Sequence, residues 1–134
     1  MRNKLLGLAG AIAPLAFVLA SATDGSAQLK AQPIVIGAPL STQYLYGWDA
    51  QRGMVLAVEE INAGGGVQVG STRRPLRLET LDTRDLEPSV PLSEALLVVE
   101  KLILEKKADV LMGGPARSEA ALAAMDLLAK YKKG

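Results

Sequence analysis

The sequence predicts an α/β protein of three layers, a parallel sheet between helices, in the order β-α-β-α-β-α. Three observations carry that prediction. Short apolar runs at residues 33–38 and 108–113, the first rich in β-branched residues, alternate with stretches of helical periodicity. Helices of this length serve as crossovers, which join parallel strands and cover both faces of a sheet. Apolar residues make up 49% of the 134, too many for a disordered chain, and the length alone is a soft prior for one domain.

The elements follow in order. Arg2 and Lys4 precede an apolar run from Leu5 to Ala20, and small residues follow at Ala20-Ser21-Ala22. This is the layout of a secretory signal peptide over residues 1–22, with Gly25-Ser26-Ala27 as a second cleavage candidate. The run is broken by Gly7, Gly10 and Pro14 and falls short of the ~20 residues a spanning helix needs, so no stable membrane insertion is expected after cleavage. Residues 23–32 are small and polar, a flexible lead-in to the domain at 33–134.

Pro33-Ile34-Val35-Ile36-Gly37-Ala38 reads as a strand buried on both faces. After a turn-forming stretch at 39–47, Ala50, Met54, Ala57, Val58 and Ile61 recur at helical spacing over residues 48–62. Gly53 inside that helix is expected to pack closely against the sheet, and Gly64-Gly65-Gly66 to end the helix. That triplet follows a helix rather than joining a strand to one, which argues against a phosphate cradle. The turn at 67–74 reads as a surface insertion.

Leu76, Leu78 and Leu81 mark the second strand, with Arg77 and Glu79 on a less covered face. Pro91 fits the first turn of the next helix, whose buried face is expected to carry Leu92, Leu96, Val99, Leu102 and Ile103. The third strand, at 108–113, is stopped by Gly114-Pro115. A last helix over residues 118–132 is expected to bury Ala121, Leu122, Met125, Leu128 and Tyr131.

In such sheets ligands bind at the carboxyl ends of strands, which singles out the loops at 39–47, 82–88 and 113–118. The chemistry available there is bounded by composition. With no His and no Cys, the chain lacks imidazole bases, thiol nucleophiles, disulfides and the usual zinc ligands. A net charge of +1 without a basic block gives no case for nucleic acid. Asp82 and Asp85 are candidates for acid/base or Mg²⁺ chemistry, although carboxylates after a strand more often form turns. Ser118 begins a helix after a strand, so its hydroxyl and the amides after it could receive a carboxylate, or it could simply be the N-cap. Tyr44, Tyr46 and Trp48 cluster in the first loop of a chain with three Tyr, one Trp and one Phe, which suits a pocket wall, with Trp48 as readily a packing residue.

A family resemblance rests on these stretches. The run from Ile34 to Ser41, Tyr46-Gly47, Arg52-Gly53, the segment from Ala57 to Asn62 and Gly64-Gly65-Gly66-Val67 resemble the start of the type I periplasmic binding proteins, in particular the branched-chain amino-acid (Leu/Ile/Val) binding group. Leu81-Asp82-Thr83, Glu100-Lys101-Leu102-Ile103, Ala108-Asp109-Val110 and Met112-Gly113-Gly114-Pro115 continue it. The resemblance implies an exported, non-enzymatic receptor in the periplasm that hands an amino acid or similar solute to the permease of an ATP-driven (ABC) importer, with no cofactor. It implies that Ser118 receives the ligand carboxylate and Tyr46 lines the pocket, with Tyr44, Ala116 and Arg117 beside them. Two departures bear on specificity: Gly114 is additional, and Arg117 is bulky and charged where the family usually carries a small or hydroxyl residue, able to pair with an anionic ligand or point to solvent.

The family has two lobes and several hundred residues, so these 134 correspond to part of the N-terminal lobe. A truncated or frameshifted product, a gene fragment, or one piece of a split receptor is therefore expected. The alternatives are a ligand-sensing domain on the same fold and a small Mg²⁺-dependent α/β enzyme using Asp82 and Asp85.

Overall fold

The computed structural model describes residues 31–133; the expected signal peptide at 1–22 and most of the lead-in lie outside them. The predicted parallel sheet is present. Strand β1 (Ile34–Leu40) is central, paired in parallel with β4 (Leu76–Asp82) along its whole length and with β5 (Val110–Leu111) at Ile36 and Gly37. Helix α1 (Leu45–Ala63) leads from β1, α2 (Leu92–Leu104) runs between β4 and β5, and α3 (Ser118–Tyr131) follows β5.

Side chains alternate across β1, so the two sheet faces receive different partners. Val35 packs with Leu102 of α2 and Ala108, flanked by Leu81 and Leu111. Gly37 lies on the same face, where a Cβ would meet Leu111 at 2.5 Å and Ala108 at 2.9 Å. The alternate positions Ile36, Ala38 and Leu40 are buried on the face that α1 covers. Around α2 and α3 a second cluster joins Val99, Ile103 and Ala124, with Leu96, Leu127, Leu128 and Tyr131 against it.

Several expected faces are rotated. On α3 the buried residues are Ala120 and Ala124, while Leu122 and Met125 are 67% and 61% exposed. Both stripes obey helical spacing; the small alanines win because they let α3 approach α2 closely. On α1 a narrow stripe of Ala50, Met54, Val58 and Asn62 is half-buried, whereas Ala57 and Ile61 are exposed. Gly53 is exposed with nothing within 4 Å of its Cβ position, so it does not pack against the sheet. The glycine that does is Gly47, where a Cβ would stand 2.3 Å from the Ser41 carbonyl oxygen. Helix α2 buries Ala95 with Val99, Leu102 and Ile103, leaving Leu92 and Leu96 half-buried.

The stretch read as a surface insertion is an antiparallel hairpin of β2 (Val67–Val69) and β3 (Thr72–Arg74), turned by Gly70-Ser71 with Gly70 at φ +59°. Gly-Ser between two short strands is a hairpin signal in its own right. Gly65 and Gly66 have positive φ, as the helix-stop reading requires, and Arg73 donates to the Gly64 and Gly66 carbonyls at 3.0 and 2.9 Å. Asn62 then joins α1 to the sheet: its amide donates to the Leu76 carbonyl at 2.9 Å and its oxygen accepts the Leu76 N–H at 2.7 Å.

Candidate functional site

The three loops meet at the carboxyl end of the sheet. Helix α1 begins three residues before the expected start, so Tyr44 is its N-cap position and Tyr46 stands in its first turn. Tyr44 donates its hydroxyl to the Leu86 carbonyl at 3.1 Å, strapping the first loop to the second. Tyr46 is about half exposed, at 49%. Trp48 is not a packing residue: it is 47% exposed and stacks under the Arg52 guanidinium, 3.9 Å from the ring centroid.

The carboxylates read as possible acid/base groups are turn formers. One oxygen of Asp82 accepts the Thr42 and Arg84 N–H groups, both at 3.1 Å. Asp85 is 1% exposed and lies at the junction of all three loops. Its Oδ1 accepts the hydroxyls of Ser41 and Thr83, both themselves buried, and its Oδ2 accepts the Arg117 N–H at 2.6 Å. Burial pushes this carboxyl upward, but the Arg117 N–H and the Ser41 and Thr83 hydroxyls outweigh it and hold it below the ordinary carboxylate range. Among the described residues no three His, Cys, Asp or Glu side chains gather as a metal site. Sequence reasoning missed Ser41 and Thr83 as partners of Asp85: Thr83 is a local partner two residues away, whereas Ser41, 44 residues away, carries no periodic signal and only the loop convergence brings it in.

The third loop presents the start of α3 to solvent. The N-cap position is Arg117, not Ser118, and no side chain caps the helix. Ser118 is therefore the first helical residue, exposed, beside amide N–H groups that the helix itself leaves without partners. The partial positive charge of these amides suits an anion. Arg117 turns its side chain toward Glu119, 3.9 Å away, and Ala116 is half-buried. Thus Ser118, Arg117 and Ala116 share one loop, and Tyr44 and Tyr46 flank the neighbouring one. An apolar cleft of about 130 Å³ opens on the α2 and α3 side between Pro39, Leu111, Pro115 and Ala124; none of the five predicted residues lines it. Among the described residues no helix is long and apolar enough to cross a membrane.

Comparison with known proteins places this architecture. No family model matches the chain, and no curated protein sequence does. Among solved structures, the branched-chain amino acid transporter substrate binding protein LivJ from Streptococcus pneumoniae, in complex with isoleucine, is similar at 29% identity and a TM-score of 0.62, over 75% of this chain and 27% of that one. A branched-chain amino acid ABC transporter protein from Silicibacter pomeroyi is similar at 27% identity and a TM-score of 0.58, over 73% of this chain and 23% of that one. The chain thus spans about a quarter of the length of these structures. It is a mixed α/β segment whose parallel sheet matches the type I periplasmic binding protein fold of these neighbours.

Proposed function

We propose that this chain forms part of the ligand-binding lobe of an ABC importer's substrate-binding protein, of the branched-chain amino-acid type. The observation that carries the reading is the uncapped start of α3, with the exposed Ser118 hydroxyl beside free amides at the meeting point of three loops. An exposed hydroxyl at a helix start that no side chain caps is suited to a carboxylate. The likeness to an isoleucine-bound protein supports an amino acid as the ligand. Binding without chemical transformation fits the loop carboxylates, since Asp82 and Asp85 are engaged in holding backbone and hydroxyl groups. On this reading the protein is exported to the periplasm and presents its ligand to a membrane permease.

The test is an NMR titration of the full chain with isoleucine. A carboxylate held by one hydroxyl and a few backbone amides is expected to bind in the millimolar range, about −4 kcal/mol. Amide shifts should concentrate at Ser118, Glu119 and Ala120, and Ser118→Ala should weaken binding by about 1–3 kcal/mol. No shift at these amides with isoleucine well above millimolar concentration would refute the reading.

A further inference from the structure

The most deeply buried charge in the described residues is one that the proposed ligand site does not use directly. Asp85 is held on three sides: by Thr83, two residues before it at the end of β4, and by two segments distant in sequence, Ser41 after β1 and the Arg117 backbone just before α3. Every donor to it is uncharged, and the neighbouring cations are occupied elsewhere, Arg84 on Glu87 and Arg117 near Glu119. A carboxylate taken out of water and held by N–H and hydroxyl donors alone keeps its charge only while all of them stay in place. The donor with the most consequence is the Arg117 N–H, at 2.6 Å, because the next residue is Ser118 and the next element is α3.

We propose that Asp85 is the positioning residue of the ligand site: it clamps the third loop to the first two and so sets where Ser118 and the open α3 amides stand. The inference rests on the reading of Ser118 as the carboxylate receiver. Asp85 lies beneath that surface and does not touch the ligand. It acts through the Arg117 peptide, and the three loops form one rigid half-site before any ligand arrives. The two hydroxyls tie Asp85 to the sheet, so the α3 start inherits the position of β1 and β4 rather than that of β5, which has only two residues.

Asp85→Asn tests this in the full chain. The amide keeps the size of the carboxylate and one oxygen for the hydroxyls, but sets an NH₂ or a neutral oxygen against the Arg117 N–H. Hydrogen exchange of the Arg117 amide should accelerate about ten-fold or more, while Ile36 and Ala38 in β1 change by less than about two-fold. The isoleucine-induced shifts at Ser118 should be lost in the same variant. A merely structural carboxylate would raise exchange at β1 and Arg117 alike, and that result, or an unchanged Arg117 rate, would overturn the proposal.

If the variant does not fold, the wild-type chain supplies the second measurement. On acidification the Asp85 carboxyl carbon and the Arg117 amide proton should titrate with one shared midpoint; separate midpoints would overturn the clamp. The groups facing Asp85 are the Ser41 and Thr83 hydroxyls and the Arg117 amide, and the charged groups on the same loops are Asp82, the Arg84–Glu87 pair and the Arg117–Glu119 pair. Absence of any isoleucine response in the wild-type chain would refute the ligand reading and leave the clamp to be decided by the Arg117 exchange rate.

Discussion

Two glycines in α1 should respond to alanine with opposite signs. In a helix interior Gly→Ala is favourable by about 1 kcal/mol, because alanine restricts the unfolded chain and shields the backbone. Gly53 has nothing within 4 Å of its Cβ position and should realise that gain. At Gly47 the new methyl would stand 2.3 Å from the Ser41 carbonyl oxygen and 2.7 Å from its carbon, where ordinary contact begins at 3.4 Å. The helix start or the loop must therefore move by about 1 Å, at an overpacking cost of about 1–3 kcal/mol. The upper part of that range applies, since Ser41 cannot yield easily. Its carbonyl accepts the Tyr44 N–H at 3.1 Å, and its hydroxyl is bound to Asp85. The net expectation is a loss of about 2 kcal/mol for Gly47→Ala against a gain of up to about 1 for Gly53→Ala. Urea unfolding followed by circular dichroism and Trp48 fluorescence would separate the two midpoints by at least about 1 M. A Gly47→Ala midpoint at or above the wild-type value would refute the close approach of α1 to the first loop.

Leu102 is fully buried against Val35 and Ala108, and Leu102→Ala should cost about 3–5 kcal/mol in a denaturant melt; a loss under about 1 would contradict this core. Asn62→Ala removes both bonds to Leu76 and should cost about 1–3 kcal/mol, while Asn62→Asp, which keeps the acceptor and loses the donor, should fall between it and the wild type in the same melt. The Asp85 carboxyl is held below its unfolded value, so the unfolded chain binds more protons in acid and stability rises with pH through that window. Its contribution is complete above the unfolded carboxylate pKa and is lost as pH falls through the folded value. Urea midpoints should therefore be level near neutrality and drop in acid, with a shallower drop in Asp85→Asn.

Much of the architecture was legible because it depends on local chemistry. The β-branched run at Ile34, Val35 and Ile36 resembles nothing but a buried strand, and Gly64-Gly65-Gly66 ends a helix because two of its members take positive φ. The geometry of the candidate site was partly legible for the same reason. Ser118 does begin a helix, and the loops of Ser41, Asp82 and Gly113 do lie at the strand ends. Its details were not, because Asp85 looks like any turn-forming aspartate until Ser41, 44 residues away, and Arg117, 32 away, are folded against it. The hairpin had its own signal in Gly70-Ser71, outweighed by the polarity of Thr72, Arg73 and Arg74.

The sequence by itself determined the order of the three parallel strands and their helices, since hydrophobic period and turn residues act over a few neighbours, but neither the β2–β3 hairpin nor the shortness of β5, Val110–Leu111 where a strand at 108–113 was expected. Tertiary structure alone decided which face of each helix is inside. On α3 the stripes through Ala124 and through Met125 are equally periodic, and the choice falls to how closely α3 can approach Val99 and Ile103. Only the same folding turns a buried aspartate into the junction of three loops, because Ser41 and Arg117 come from segments that no local rule connects to it.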